Sequence, residues 1–206
     1  MSLLRALVLL AALALPFGTA QAVNWNEAFD GDLSDDGDFP TLVGTLSLGS
    51  NLFSGTMGSL GGVPPLDADI WNFTVDAGYY LTGINLTGYT SASGNNNDSF
   101  VAIALGATIN VNDPSNHLSN ALWNKQLDGF GDTYTNLLAL LDAGPDFGGI
   151  GFDGPLPAGN YTFWIQEGSD QIDYQIDFVT SAVPVPEPRS ALLLGLAGLL
   201  LLRRRR

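Results

Sequence analysis

Alternation of apolar and polar residues with a period of two dominates the chain between residues 41 and 180. In an extended strand, Trp71, Phe73 and Val75 fall on one face, and the two polar residues between them fall on the other. The same pattern predicts strands at residues 41–48, 52–57, 70–75, 80–89, 99–105, 161–167 and 173–179.

Turn-forming residues separate these predicted strands. Gly168, Ser169 and Asp170 lie between the last two and predict a hairpin turn. Helical periodicity is confined to a short stretch at residues 134–141, and no internal repeat or long linker interrupts the pattern. Short strands joined by Gly, Asn and Asp turns are typical of a β-sandwich. We therefore predict an all-β fold, a single antiparallel, jelly-roll-like sandwich over residues 23–182.

The first 22 residues contain the three parts of a secretory signal peptide. Arg5 supplies a positive charge, residues 6–15 are apolar, and Ala20 and Ala22 form the small-x-small pattern that signal peptidase cleaves. The apolar run is too short to span a bilayer as a permanent anchor. We predict a signal helix in residues 1–22 and an exported protein that begins at Val23.

The chain ends in a second targeting segment. Residues 183–189 are rich in proline, and residues 190–202 are apolar after Ser190. Four cations follow, namely Arg203, Arg204, Arg205 and Arg206. A helix over residues 190–202 is about 20 Å long, against roughly 30 Å of bilayer hydrocarbon. We predict a short transmembrane-type helix that holds the chain transiently in the inner membrane, with its arginines on the cytoplasmic side.

Pro186, Glu187 and Pro188, with the apolar helix and the arginine cluster behind them, resemble the PEP-CTERM sorting signal of Gram-negative bacteria. The resemblance implies that an exosortase cleaves near the Pro-Glu-Pro motif. The protein then leaves the inner membrane for the cell surface or for an extracellular polysaccharide matrix. An uncleaved tail that stays as an anchor is the alternative.

The body of the chain carries a further resemblance. Its motifs are, in order, the aspartate-rich residues 30–38, residues 48–56, residues 67–78 and residues 156–166. This order resembles the bacterial pre-peptidase C-terminal-like (PPC-like) β-sandwich found in many PEP-CTERM proteins, over most of residues 27–180. The resemblance implies an accessory module that is sometimes calcium-dependent or polysaccharide-binding and rarely catalytic.

Charge and residue usage exclude several classes of function. The whole chain carries −14, and removing Arg5 and the four terminal arginines leaves −19 on the exported part. Its remaining cations are Lys125 and Arg189, so the surface repels nucleic acid. The absence of cysteine excludes thiol catalysis and disulfides. Because His117 is the single histidine, a multi-histidine zinc site is excluded as well.

An acidic loop is the densest candidate for chemistry. Crowded carboxylates repel one another, and calcium, which accepts six to eight oxygens from flexible loops, relieves that repulsion. An EF-hand is excluded because its twelfth position falls on Val43 instead of glutamate. A looser calcium site remains, with ligands from the loop and from the segment before Trp71: Asp30, Asp32, Asp36, Asp38, Asp67 and Asp69. The alternative is an acidic loop that serves only solubility.

Catalytic signatures are absent from the sequence, and sugar binding rests on one aromatic residue. The sequence has no Gly-x-Ser-x-Gly elbow, and His117 lies in no recognisable triad motif. Trp123 lies in a polar segment and is the best candidate for stacking on a sugar ring. We expect a non-enzymatic structural or adhesive protein associated with extracellular polysaccharide. The alternatives are a secreted polysaccharide hydrolase and a sugar-binding module.

Overall fold

The computed structural model describes residues 21–93, 99–123 and 136–183. Nine strands and two short α-helices make up this part of the chain. The strands are β1 (Asn24–Asn26), β2 (Thr41–Thr45), β3 (Gly49–Gly58), β4 (Ala68–Val75), β5 (Tyr79–Ser91), β6 (Ser99–Leu105), β7 (His117–Trp123), β8 (Gly159–Glu167) and β9 (Gln171–Ala182). The helices are α1 (Glu27–Asp30) and α2 (Leu137–Asp142), and single 3-10 turns lie at Leu60–Gly62 and Pro114–Asn116.

The strands form two sheets, which confirms the prediction of an all-β, sandwich-like fold. The four-stranded sheet has the order β1-β3-β9-β5, and the five-stranded sheet has the order β2-β4-β8-β6-β7. Most pairs are antiparallel, but β1 pairs with β3 and β2 pairs with β4 in parallel. The prediction of antiparallel pairing throughout is wrong for these two pairs. The chain crosses from one sheet to the other between β1 and β2 instead of reversing in a hairpin.

Each of the seven predicted strands is present, and residues 99–105 form a strand with the predicted ends. Strands β1 and β7 were not predicted. In β7 the polar residues Ser119 and Asn120 are fully buried, so the strand lacks the apolar alternation that reveals the others. The predicted helix is present from Leu137, and the Asn136 side chain caps it by accepting from the amides of Leu138 and Ala139.

The core between the sheets is built around aromatic side chains. Trp71 stacks on Phe53, with ring centroids 5.2 Å apart, and it contacts the tilted ring of Phe163 at a centroid distance of 4.8 Å. Phe178 contacts the same group edge-on. All four side chains are fully buried, and together they join β3 and β9 to β4 and β8. Offset and edge-on aromatic contacts stabilise the fold beyond the area they bury.

Strand β4 is buried on both of its faces. Its inner face carries Trp71, Phe73 and Val75, while Ile70 on the outer face packs in a second apolar cluster with Trp164 and Ile109. Seven of its eight residues are buried, and these include the polar residues Asp69 and Asn72, which lie away from bulk water.

Different segments close the two open sides of the sandwich. Helix α2 contacts β5 and β7 on one side and buries Leu137, Leu138 and Leu141. Residues 23–45, which we call the strap, close the other side. The strap contains β1, α1, the acidic loop and β2, and it supplies the outermost strand on that side of each sheet.

The described residues include no lysine and no arginine. Among them, no helix is long and apolar enough to cross a membrane. The predicted signal helix, the Pro-Glu-Pro motif, the apolar C-terminal helix and the arginine cluster lie in residues 1–20 and 184–206, outside the described residues. Ala22 of the predicted cleavage site is described, and it is exposed and outside regular secondary structure.

Candidate cation site

Three carboxylates converge where the strap crosses between the sheets. Glu27, Asp32 and Asp69 each place one oxygen within 4.8 Å of the other two. Glu27 and Asp32 belong to the strap, and Asp69 belongs to β4 in the body of the sandwich. The cluster therefore joins the strap to the strand that carries the central tryptophan of the core.

Asp69 occupies a position that the strand pattern reserves for an apolar residue. It has the same parity as Trp71 and Phe73, whose side chains form the inner face of β4, and its exposure is 0%. Neither of its carboxylate oxygens has a hydrogen-bond partner among the described residues. The hydroxyl of Tyr174, a neighbour from β9, is also buried without a partner. Buried polar atoms are almost always satisfied, and the nearest groups open to these oxygens are the hydroxyl of Tyr174 and the carboxylate of Glu27, so the site has capacity for a further ligand.

Glu27 reaches the cluster because β3 leaves space for it. A Cβ atom added to Gly55 would lie 2.2 Å from the carboxylate carbon of Glu27, so a larger residue there would displace this carboxylate. The Glu27 carboxylate accepts from the amide of Thr56 at 2.8 Å and from the amide of Leu33 at 3.4 Å. Helix α1, which carries Glu27, is capped by the side chain of Asn26. The strap and β3 thus hold this side chain between them.

The electrostatics of the cluster are those of an uncompensated acidic site. Burial, together with the charge on Glu27, raises the pKa of Asp69 to about 10. Burial also raises the pKa of Glu27. Burial and the charges on Asp32 and Asp35 raise the pKa of Asp67 to about 7. Near neutral pH, Asp69 therefore holds a proton unless a cation takes its place.

A hard divalent cation suits this arrangement. The three converging groups offer oxygen atoms only, which are the ligands that calcium prefers. Asp67 lies close enough to raise the local negative charge. A surface groove of about 260 Å³ is lined in part by Glu27 of the cluster and by Tyr174, the neighbour of Asp69. The described part of the chain has no lysine or arginine that could neutralise the site instead.

The structure brings together only some of the predicted calcium ligands. Asp32 and Asp69 lie in the cluster and Asp67 lies beside it. Asp30 instead accepts from the amide of Asn26, and Asp36 accepts from the amide of Asp38. These contacts stabilise the local turns, as aspartate does in loops generally.

Asp38 is exposed and is not part of the cluster. The prediction that Asp30, Asp36 and Asp38 share one site with Asp69 is therefore wrong. Asp32 is exposed like these residues, but its carboxylate lies with those of Glu27 and Asp69.

Glu27 was missed by the sequence analysis. It precedes the aspartate run, and nothing in its neighbourhood indicates that a strand elsewhere leaves room for it. One usable signal was its rarity, since Glu27 and Glu167 are the only glutamates in residues 23–182. Both are at least partly buried, and Glu167 is satisfied there by the hydroxyls of Ser99 and Ser169.

Trp123 does not lie on the surface, so its predicted role in stacking on a sugar ring is wrong. It is 2% exposed, ends β7 and packs edge-on against Tyr89 with ring centroids 5.2 Å apart. The polar residues around it belong to a buried strand and not to a surface loop, which is why the composition of the segment was misleading.

His117 is buried as well. One ring nitrogen lies 2.9 Å from the carbonyl oxygen of Asn110, and the other lies 3.2 Å from the side-chain amide of Asn120. Burial lowers the pKa of His117, which keeps the ring neutral near neutral pH. These contacts make His117 part of the packing between β7 and its covering loop.

Comparison of the chain with protein-family models, with curated proteins and with solved structures gave no match.

Proposed function

We propose that this chain is an exported, non-enzymatic surface or matrix protein whose β-sandwich binds calcium at Glu27, Asp32 and Asp69. The observation that carries the proposal is Asp69, which is fully buried with both carboxylate oxygens unpartnered and aimed at two other carboxylates. A bound ion would supply the missing partner. It would also displace the proton of Asp69 and make the cluster a cross-link between the strap and the body.

The site suits an extracellular location. Calcium modules outside cells commonly bind with dissociation constants of about 0.1–1 mM, which matches a site with three carboxylates and water-filled positions. Such a site stays loaded where calcium is abundant and empties where it is scarce. The exported location itself rests on the signal-peptide and sorting-tail patterns.

For the whole chain we propose a jelly-roll-like sandwich between two targeting segments, processed by signal peptidase after Ala22 and by an exosortase near Pro186, Glu187 and Pro188. The arginine cluster would hold the chain in the inner membrane until that second cleavage. The acidic surface supports a structural or adhesive role in a polysaccharide matrix. Calcium ions would bridge this surface to an anionic polysaccharide.

The arrangement of the carboxylates favours this proposal over a hydrolase. Glycoside hydrolysis needs two carboxyl groups roughly 5–9.5 Å apart on either side of a bound sugar. Here the acidic oxygens lie within 4.8 Å of one another, and Asp69 is sealed between the sheets. With an exposure of 0%, Asp69 cannot meet a sugar ring from solvent.

Calcium binding is tested on the protein expressed from its full sequence and purified in the form that the host exports. Thermal unfolding near neutral pH is compared in millimolar calcium and in EDTA, with magnesium as the matched control. We expect calcium to raise Tm and magnesium to have a smaller effect, because magnesium demands a stricter octahedral shell. An equal Tm in calcium and in EDTA would contradict the proposed site.

Sorting is tested separately, by mass spectrometry of membrane and extracellular fractions from the native host. We expect an extracellular product that starts at Val23 and ends near Pro186. A chain that still ends at Arg206 in the membrane fraction would indicate a tethered protein and would contradict exosortase cleavage.

A further inference from the structure

The strap is attached to the sandwich mainly at its sheet edges. Strand β1 pairs with residues 52–54 of β3, and β2 pairs with residues 71–74 of β4. Single backbone contacts add to this, since the amide of Ile70 donates to the carbonyl of Ser34 and the amide of Ile109 donates to the carbonyl of Gly37. The strap is therefore a peripheral layer that completes both sheets on one side.

Buried apolar side chains alone attach the strap only weakly to the rest of the sandwich. Leu33 is its one fully buried hydrophobic side chain, at 2% exposure. Phe29, Phe39 and Leu42 remain 88%, 78% and 74% exposed. Segments with few buried apolar contacts open at a lower free energy than the core of a protein does. Val23, Trp25 and Val43 of the strap pack against the core but are only partly buried, so the strap depends largely on its backbone pairing and on any further attachment.

The carboxylate cluster lies where that attachment is needed. Two of its members, Glu27 and Asp32, lie between β1 and β2, and the third, Asp69, is fixed in the body. Without a cation, Asp69 stays protonated near neutral pH and gives the carboxylates of the strap no ionic attachment to the body. With a cation, the same groups draw the strap against the body.

Opening of the strap would uncover two sheet edges at once, one on β3 and one on β4. Uncovered edges present free backbone donors and acceptors that pair readily with another strand. The segment that fits both edges in register is the strap itself, and every copy of the chain carries one. Exchange of an identical element between copies is a low-cost route to dimers.

We propose that the strap is a cation-operated latch: calcium at Glu27, Asp32 and Asp69 holds it on its own sandwich, and loss of the ion lets two copies exchange straps. This inference rests on the proposed calcium site. It adds a second copy of this chain as the partner, and strap pairing with β3 and β4 as the contact surface.

The first experiment is hydrogen exchange on the exported protein, read by mass spectrometry in EDTA and in calcium. At calcium 100-fold above its dissociation constant, opening of the strap is expected to fall by about 100-fold. Amides of the strap, and those of Ile70 and Thr56 that bond to it, should slow by a similar factor. Amides in the centre of β9 should change much less. Asp69→Asn should remove the calcium response of the strap amides.

The second experiment measures the exchange of straps. Concentrated protein is incubated in EDTA, returned to calcium, and analysed by size-exclusion chromatography with light scattering. We expect a dimer fraction that forms only after the EDTA step and persists once calcium is restored. A locked variant, Asn24→Cys with Leu52→Cys, joins paired positions of β1 and β3 in a chain that has no other cysteine. It should stay monomeric when oxidised and form dimers when reduced.

The outcomes separate this proposal from the calcium site itself. If calcium raises Tm but protects the strap and the centre of β9 by the same factor, the latch is wrong and the calcium site stands. If the oxidised locked variant forms dimers as readily as the wild type, strap exchange is wrong. If calcium neither raises Tm nor produces a heat of binding, both proposals are overturned.

Discussion

Replacing Asp69 by asparagine tests the cation site most directly. Asparagine has nearly the same size and shape as aspartate, so the substitution keeps the packing of β4 while it removes the ionisable group. Asp69 is fully buried and unpartnered, and it is the one member of the cluster that belongs to the body. The substitution should therefore change how stability responds to calcium and to pH without changing the fold.

The pH effect follows from the pKa of Asp69, which burial raises from 3.8 to about 10. Between these values the folded protein holds a proton that the unfolded chain releases. The stability of the ion-free protein therefore falls as pH rises through this range. One pKa unit corresponds to about 1.4 kcal/mol, so Asp69 alone lowers the free energy of unfolding by about 4 kcal/mol between about pH 5 and pH 8. In Asp69→Asn, the decrease in the free energy of unfolding between about pH 5 and pH 8 should be smaller by about 4 kcal/mol.

The calcium effect has its own magnitude. At a calcium concentration 100-fold above the dissociation constant, the wild type gains about 2.7 kcal/mol. For a domain of this size, 1 kcal/mol shifts Tm by about 2–4 °C, so the expected rise in Tm is about 5–11 °C. Asp69→Asn should lose nearly all of this rise, because asparagine cannot supply the anionic ligand.

The assay is denaturant unfolding in EDTA over a pH series, followed by thermal unfolding near pH 7.5 with and without calcium. Asp38→Asn serves as the matched control, since Asp38 carries the same charge in the same loop but is exposed and outside the cluster. It should behave as the wild type does in both measurements. An unchanged rise in Tm with calcium in Asp69→Asn would refute the assignment of the site. If the free energy of unfolding of the wild type fell with pH no more steeply than that of Asp69→Asn, the electrostatic argument would be refuted.

Three further substitutions test other parts of the fold. Gly55→Ala should abolish the rise in Tm with calcium by displacing the carboxylate of Glu27, whereas Gly168→Ala, where an added Cβ meets nothing within 4 Å, should retain that rise. Trp71→Ala should lower the free energy of unfolding by about 3–5 kcal/mol, measured by denaturant titration, because it empties the centre of the aromatic core. Asn51→Ala should lower the free energy of unfolding by about 2–3 kcal/mol in the same titration, because the buried backbone groups that bond to its side chain lose their partner. A decrease below about 0.5 kcal/mol would show that water replaces these hydrogen bonds.

The sequence predicted the strands better than it predicted the site. A period-two pattern reports which face of a strand is buried, so strands with one apolar face, such as β8 and β9, were found. Strand β7 was not, because its buried polar groups hide the pattern. Asp69 was expected in the loop before Trp71 for the same reason, since a carboxylate on the apolar face of a strand breaks the alternation. Its association with Glu27 depends on where the strap crosses the sandwich, and local sequence carries no signal for that crossing.

The absence of cationic side chains from the described sandwich has a consequence for its susceptibility to proteolysis. Proteases of the trypsin type cut after lysine or arginine, and between Val23 and Arg189 the chain offers them one interior residue, Lys125. Over the long stretch from Val23 to Asn124 no such site exists, even if the strap or a loop opens. The composition that leaves the carboxylate cluster without a cationic side chain therefore also leaves few cleavage sites for a common class of protease.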